Sequence, residues 1–475
     1  MISASDRSTT AMNPFFDPVF YLRLAKSYLS DINRVWHTDL QQLKKYQDQA
    51  FRQMVRYAYT VPLYHQKYKA NNIHPSDIKG TSDALKLPCI TKDDLKTHYP
   101  VGIIPKGYDT SKGFQVSTSG STGKPVRIYF DVFSAIKGLE GFVRELRTYG
   151  GNWQRSRVML IIENHPGSFE HALFSGSVLP FLNHFISLKN IRYIHISEKP
   201  ETIMKQINEF QPEFLGSDPN MLRQLAFLKE HGEAPDLHPT TLLSGAAMLD
   251  SYTRRYVEQA FGATLYDTYG ATEAGPIAFE CIDKGMYHVH SDFVFLECLD
   301  DDNTPVAPGE IGRAVVSRLY GGGTPIIRYT GIEDLVTPAE AKSSCGITTE
   351  MIQHIGGRST DLFILPNGSF MSPLIVTGIP AETMEHFHSY KIQQFQIVQQ
   401  SKNEIEVFVV IDSHLRNVGV PINELFSEMK KRFTQAIGLG VEIKITETDE
   451  IQPGVASDHV KVAISKVHDP AKKLH

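Results

Sequence analysis

The pattern of apolar and polar positions changes texture twice along the chain. Over residues 13–70, Leu22, Leu24, Tyr28, Leu29 and Ile32 recur at helical spacing, and Leu43, Tyr46, Ala50, Met54, Tyr57 and Ala58 do the same. This predicts helices within a helical N-terminal part, residues 1–100, with Pro62 stopping the second helix. The aromatic pairs Phe15-Phe16 and Phe20-Tyr21 read as packing onto the main body, with a membrane or partner surface as the alternative.

From about 115 to 350, short β-rich runs alternate with helical stretches. Val158–Ile162, Ile191–Ile196, Phe214–Ser217, Thr241–Gly245 and Ala263–Tyr266 read as strands. Glu201–Phe210, Asn220–His231 and Tyr252–Phe261 read as the helices between them. Strands separated by helices of that length predict an α/β fold with a largely parallel sheet. Val294–Leu299 and Gly312–Leu319 alternate like antiparallel strands joined by the turn-rich Asp300–Gly309. The last stretch reads as a small α+β unit, ferredoxin-like: a hairpin of Lys391–Gln399 and Glu404–Ile411, a helix Ile422–Ile437, then strands Val441–Thr446 and Val460–Val467. The expected division is a large unit over 1–358 and a small one over 359–475, within the usual range of domain sizes.

Composition narrows the class only a little. The chain has 475 residues, 48 Lys+Arg against 53 Asp+Glu, and a formal net charge of −5. That balance gives no electrostatic reason to expect nucleic acid as a partner. Four cysteines (Cys89, Cys281, Cys298, Cys345) do not make a disulfide scaffold, so a reducing compartment is the expectation. The first residues, Met1 to Met12, carry no apolar core like that of a signal peptide. Apolar runs fall far short of the ~20 residues that cross a bilayer. The chain reads as a cytoplasmic protein of enzyme size.

The strongest chemical signal is Ser117-Thr-Ser-Gly-Ser-Thr-Gly-Lys-Pro125, which precedes the strand-like Val126–Phe130. Thr118, Ser119, Ser121 and Thr122 offer hydroxyls, Gly120 and Gly123 allow close backbone approach, and Lys124 supplies a counter-charge for phosphate oxygens. It is not a Walker A loop, because Thr118 stands where that pattern needs glycine and Pro125 where it needs Ser or Thr.

The loop resembles the phosphate-binding signature of the adenylate-forming superfamily, which includes acyl-CoA synthetases, luciferases and peptide-synthetase adenylation domains. Three more segments match in order. Tyr266-Asp-Thr-Tyr-Gly-Ala-Thr-Glu273 resembles the Tyr-Gly-x-Thr-Glu motif, Ile327-Arg-Tyr-Thr-Gly-Ile-Glu-Asp334 resembles Arg-Tyr-Arg-Thr-Gly-Asp, and Gly357-Arg-Ser-Thr-Asp361 resembles the Gly-Arg-x-x-Asp hinge. Tyr59–Tyr64, Leu87–Leu95 and Tyr99-Pro100, with Glu280-Cys281 and His288, are similar to the phenylacetate–CoA ligase branch.

The resemblance implies an AMP-forming ligase that joins a carboxylic acid to ATP and then to a thiol, usually that of CoA. It implies that Lys124 and the Thr118–Gly123 loop hold the outer phosphates and that Thr272 meets the α-phosphate. Glu273 would hold Mg²⁺. Tyr269 and Gly270 would flank the adenine opposite Ser244-Gly245-Ala246, with Asp267 in the same segment. A carboxylate at Glu333 or Asp334, with Asp334 favoured because Leu335-Val336 follows, would bind the ribose, and Arg358 the ribose or phosphate. Asp361 would be the hinge.

Two departures from the family pattern stand out. Tyr329-Thr-Gly-Ile-Glu-Asp334 lacks the arginine after tyrosine and carries extra residues. Near the C-terminus Lys461 matches the adenylation lysine by distance from Pro453, while Lys466 occupies the place of a later arginine. The branch also implies a zinc site of Cys281, His288 and Cys345, with Ser343 where a further cysteine would stand. The acid is expected to be an aryl or other small one, beside Glu163–Gly167 and Phe169–His171. A carrier-protein thiol as acceptor, or a degenerate nucleotide-binding protein, are the competing readings. A homodimer is the default for the branch.

Overall fold

The computed structural model describes residues 18–118, 125–176, 188–283, 285–340, 343–358, 362–451 and 462–467. The N-terminal part is helical: α1 (Pro18–Ser30), α2 (Arg34–His37), α3 (Leu40–Tyr59), α4 (Pro62–Ala70) and α5 (Lys92–His98). Asp39 caps α3, accepting from the Gln42 N–H, and the buried stripe Leu43, Gln47, Ala50, Phe51, Met54, Val55, Ala58 follows helical spacing. Pro62 does not stop α3, which has already ended at Tyr59. It occupies the first turn of α4, where a missing N–H costs nothing.

The α1 stripe is only half buried. Leu24 and Phe20 pack toward a cluster around Val132, Ile136 and Leu173, but Leu22 and Leu29 are 71% and 73% exposed. Phe15 and Phe16 lie outside the described residues. The segment after α1 is instead held by ions. Arg144, fully buried, donates to both oxygens of Asp292 at 2.8 Å and to the carbonyls of Asp31 and Ile32.

Strands β1 (Gly113–Ser117) and β2 (Arg127–Asp131) form an antiparallel hairpin, and α6 (Val132–Thr148) follows. Then come β3 (Val158–Ile162), β4 (Ile191–His195), α7 (Pro200–Phe210), β5 (Phe214–Ser217), α8 (Pro219–Glu230), β6 (Thr241–Ser244), α9 (Ser251–Phe261) and β7 (Thr264–Ala271). Asp218 and Asp250 start α8 and α9 by accepting from the N–H groups of Met221 and Thr253. An antiparallel run follows: β8 (Gly275–Glu280), β9 (Tyr287–Val289), β10 (Val294–Leu299), β11 (Gly312–Arg318), β12 (Asp334–Pro338) and β13 (Met351–Arg358).

These strands make one 11-stranded sheet in the order β10-β11-β12-β13-β9-β8-β7-β6-β5-β3-β4. Only the stretch β4-β3-β5-β6-β7 is parallel. The strand expected over Ala263–Tyr266 runs on to Ala271, so β7 joins the parallel and antiparallel halves.

After the short pair β14 (Phe363–Ile364) and β15 (Phe370–Met371) come α10 (Leu374–Thr377), α11 (Ile379–His386), β16 (Ile392–Ser401), β17 (Glu404–Ile411), α12 (Ile422–Ile437), β18 (Glu442–Glu447) and β19 (Ala463–Ser465). The second sheet has the order β18-β17-β16-β19. Its inward residues Phe395, Ile397 and Val407, with Phe433 of α12, share an apolar cluster with Ile203, Leu222 and Val257 of the helices on the parallel half. Among the described residues no helix is long and apolar enough to cross a membrane.

Candidate functional site

The motif residues meet at one end of the sheet, where β6 and β7 finish and β12 begins. Parallel pairing aligns Ser244 with Asp267. The chain then turns through Gly245 and Ala246, the latter in left-handed backbone with φ 64°. A Cβ on Gly245 would stand 2.8 Å from Thr268 Oγ1, whose hydroxyl donates to the Ser244 carbonyl at 3.0 Å. The wall is therefore bare backbone held flat against β7.

Past Asp267, β7 and β8 pair as a hairpin with an irregularity between Tyr269 and Gly270. Thr272 and Glu273 sit in its tip, closed by the Ala274 N–H to the Ala271 carbonyl at 3.1 Å. Glu273 is 6% exposed, and its Oε1 accepts from the Tyr329 hydroxyl at 2.8 Å. Buried Arg318 donates to the Glu273 carbonyl at 3.0 Å.

The extra residues after Tyr329 are absorbed in a turn. The Glu333 N–H reaches the Thr330 carbonyl at 3.2 Å, and Glu333 takes φ 64°. This sends the two neighbouring acids to different partners. Glu333 pairs with Lys92 Nζ at 2.8 Å, while Asp334 opens β12 and its Oδ2 accepts from the Tyr269 hydroxyl at 2.8 Å. Asp334 also stands opposite Arg358 in the β12–β13 register.

Asp267 is buried beneath this surface. Its N–H donates to Glu280 Oε2 at 2.9 Å and its Oδ2 accepts from the Tyr287 hydroxyl at 2.9 Å. Burial pushes its carboxyl up to about 7, against the pull of the Tyr287 hydrogen bond and with the help of the nearby Glu280 charge. Arg254 ties the same Glu280 to α9 at 2.9 Å.

Thr118 closes the base of the Ser/Thr/Gly loop at the tip of the β1–β2 hairpin. Its N–H reaches the Val126 carbonyl at 2.9 Å and its Oγ1 accepts from the Val126 N–H at 3.1 Å. The Ser117 N–H donates to the Gly167 carbonyl at 2.9 Å, so the segment after β3 borders the end of β1. Ser119, Gly120, Ser121, Thr122, Gly123, Lys124, Asp361 and Lys461 lie outside the described residues. Lys466 is exposed at the end of β19, donating to Gln400 Oε1 at 2.8 Å.

A second cluster lies on the far side of β8. Ligand atoms of Cys281, His288 and Cys345 all fall within 4.8 Å of one another. His288 Nε2 is 3.1 Å from Cys345 Sγ and its Nδ1 2.9 Å from Thr349 Oγ1. Burial holds the imidazole down at about 4, so it is neutral near pH 7, the form that ligates metal. Ser343 Oγ, 2.9 Å from Cys281 Sγ, accompanies them. Two thiols and a neutral imidazole at this spacing fit a tetrahedral N/S ion that takes one further ligand. A separate cavity of about 310 Å³, between α8, α9 and the second sheet, shares no residue with either cluster.

Residues 116–319 match the family described as AMP-binding enzyme. The phenylacetate–coenzyme A ligase of Escherichia coli (strain K12) is 27% identical over 337 residues, 68% of this chain and 73% of that protein. The enzyme of the same description from Thermus thermophilus is 24% identical over 86% of this chain and 92% of that protein. Among solved structures, 2-hydroxyisobutyryl-CoA ligase in its postadenylation state, in complex with R3-HIB-AMP, has a TM-score of 0.72 at 18% identity, covering 92% of both chains. These comparisons agree with the family expected from the four motifs, and the solved structure with the α/β fold.

The reading of the linear sequence left Tyr329, Tyr287 and Lys92 without roles. Tyr329 stands inside a quoted motif, but nothing in spacing ties it to a glutamate 56 residues earlier.

Proposed function

We propose that this chain, an AMP-binding enzyme resembling the phenylacetate–CoA ligase branch of the adenylate-forming superfamily, activates an aryl or other small carboxylic acid with ATP and passes the acyl group to the thiol of CoA. The observation that carries the reading is the convergence of two motifs separated in sequence, Tyr266–Glu273 and Ile327–Asp334. Tyr269, Glu273 and Asp334 meet through the Tyr269–Asp334 and Tyr329–Glu273 hydrogen bonds.

In the first half-reaction a carboxylate oxygen bonds to the α-phosphorus and the bond to the β-phosphate bridge breaks, releasing pyrophosphate. In the second a thiol sulfur bonds to the acyl carbon and AMP leaves. Both steps build negative charge on oxygen, so fixed donors and cations carry catalysis. Thr118 through Gly123 and Lys124 would hold the β- and γ-phosphates. Thr272 would donate to the α-phosphate and Lys461 would supply a cation to it. Glu273 would hold Mg²⁺, whose charge would offset that of the phosphates. Ser244–Ala246 and Tyr269-Gly270 would bracket the adenine, supported from below by Asp267. Asp334, already held by Tyr269, would take the ribose hydroxyls together with Arg358, whereas Glu333 is committed to Lys92.

The small unit, 359–475, would rotate about Asp361 between the two steps. Cys281, His288 and Cys345 would hold a zinc ion remote from this chemistry, stapling the 343–345 loop to β8 and β9.

The test is pyrophosphate release from Mg-ATP across a panel of aryl, aliphatic and amino acids, with and without CoA. Release that depends on the acid, and is lost in Lys124→Ala and Glu273→Ala, is expected. Silence across the panel with ATP still binding would overturn the enzymatic reading, and thioester formation only on a carrier protein would overturn the CoA assignment.

A further inference from the structure

Tyr329 is built into the interior more firmly than a nucleotide contact needs. It is fully buried, and its backbone exchanges two hydrogen bonds with Val316, at 2.9 and 3.0 Å. The next residue, Thr330, donates its N–H to the Ile90 carbonyl at 3.0 Å. On the other side Arg328, 3% exposed, is committed to Glu297 at 3.0 Å. The Tyr329 ring therefore has one direction to take, and its hydroxyl ends on Glu273 Oε1 at 2.8 Å.

Gly331 completes the arrangement. Its backbone is not left-handed, so conformation does not explain the glycine. Space does: a Cβ there would stand 2.3 Å from both Cζ and the hydroxyl oxygen of Tyr329. Any side chain at 331 would push the hydroxyl off the glutamate. Arg318 fixes the backbone of the same hairpin tip by donating to the Glu273 carbonyl at 3.0 Å and the Thr324 carbonyl at 2.6 Å.

We propose that Tyr329 is a positioning residue, whose hydroxyl fixes the Glu273 carboxylate in the orientation that receives the nucleotide-bound divalent cation, and that Gly331 is glycine to leave that hydroxyl room. This rests on the assignment of Glu273 to the cation made above. A tyrosine hydroxyl is a donor to a carboxylate through the neutral pH range. A carboxylate of low exposure that loses a charge-assisted hydrogen bond is held less firmly for the arriving cation.

Tyr329→Phe keeps the ring and removes the donor. Gly331→Ala keeps the donor and displaces it. Mg²⁺ would be titrated at saturating ATP in ATP–pyrophosphate exchange, and Mg-ATP binding would be followed by calorimetry, which needs no turnover. Half-saturating Mg²⁺ is expected to rise about fivefold to tenfold in both variants, with the KM for acid near wild type in both and the melting temperature near wild type in Tyr329→Phe, while the crowding in Gly331→Ala also lowers its melting temperature. An unchanged Mg²⁺ requirement in Tyr329→Phe overturns the proposal, as does an equal loss in every parameter. Glu273→Gln separates the two failures. If it raises the Mg²⁺ requirement and Tyr329→Phe does not, the positioning role alone falls. If Glu273→Gln leaves the requirement unmoved, the cation assignment falls with it.

Discussion

The divergence of Glu333 and Asp334 gives a prediction that a single pair of variants decides. Asp334 is oriented by the Tyr269 hydroxyl at 2.8 Å, and Tyr269→Phe removes that donor. A hydrogen bond to a charged acceptor is worth roughly 1.5–3 kcal/mol. Both groups are half-buried, so water replaces part of the loss and about 1 kcal/mol should reach nucleotide affinity. That is about a fivefold weaker Kd for AMP. Asp334→Asn should do more, because it removes the ribose acceptor charge itself. Glu333→Gln should leave AMP affinity within about twofold, since its partner is Lys92 and not Tyr269. It should cost at most about 1 kcal/mol of stability, as a partly exposed ion pair. Calorimetric AMP titration of the three variants is the assay. A Glu333→Gln defect equal to or larger than that of Asp334→Asn would refute the argument, for it would place the ribose on the acid the structure sends elsewhere.

Three further outcomes are expected. Gly357→Ala combines a left-handed φ of 77° with a Cβ 1.9 Å from Met248 Sδ, so it should lower stability by about 1–3 kcal/mol; an unchanged denaturant midpoint would contradict this. Asp267 has a folded-state carboxyl near 7 against an ordinary 3.8, so wild-type stability falls as pH rises across that window and is level above it. In Asp267→Asn this contribution, on the order of 4 kcal/mol at most, disappears, and the melting temperature should drop less between pH 4 and 7; identical slopes would remove the case for a protonated Asp267. Chelation of protein purified without added zinc should release about one equivalent of metal if two thiols and an imidazole hold it, and Cys281→Ser should melt earlier; absence of bound metal in the untreated protein would rule the site out.

Much of the fold was legible because its signals are local. Val158–Ile162 and Ile422–Ile437 run as read, since apolar runs and periodicity depend on residues a few positions apart. Legibility weakened at edges. The spacing of Leu22 and Leu29 predicts burial, yet both are exposed, because α1 packs through one narrow face and periodicity does not say whether a neighbour covers it.

The motif segments themselves are contiguous, so the linear sequence determined which stretches form the candidate site and what chemistry they suit. What joins them depends on pairing between distant strands. The β7–β8 hairpin and the segment leading into β12 approach only because β11, β12 and β13 close the antiparallel half of the sheet. That closure aims Tyr329 at Glu273, turns Asp334 to Tyr269 and Glu333 to Lys92, and draws Cys345 to Cys281 and His288. None of these partners shares a local spacing. Each is a consequence of register, which a chain settles only when its whole sheet has formed.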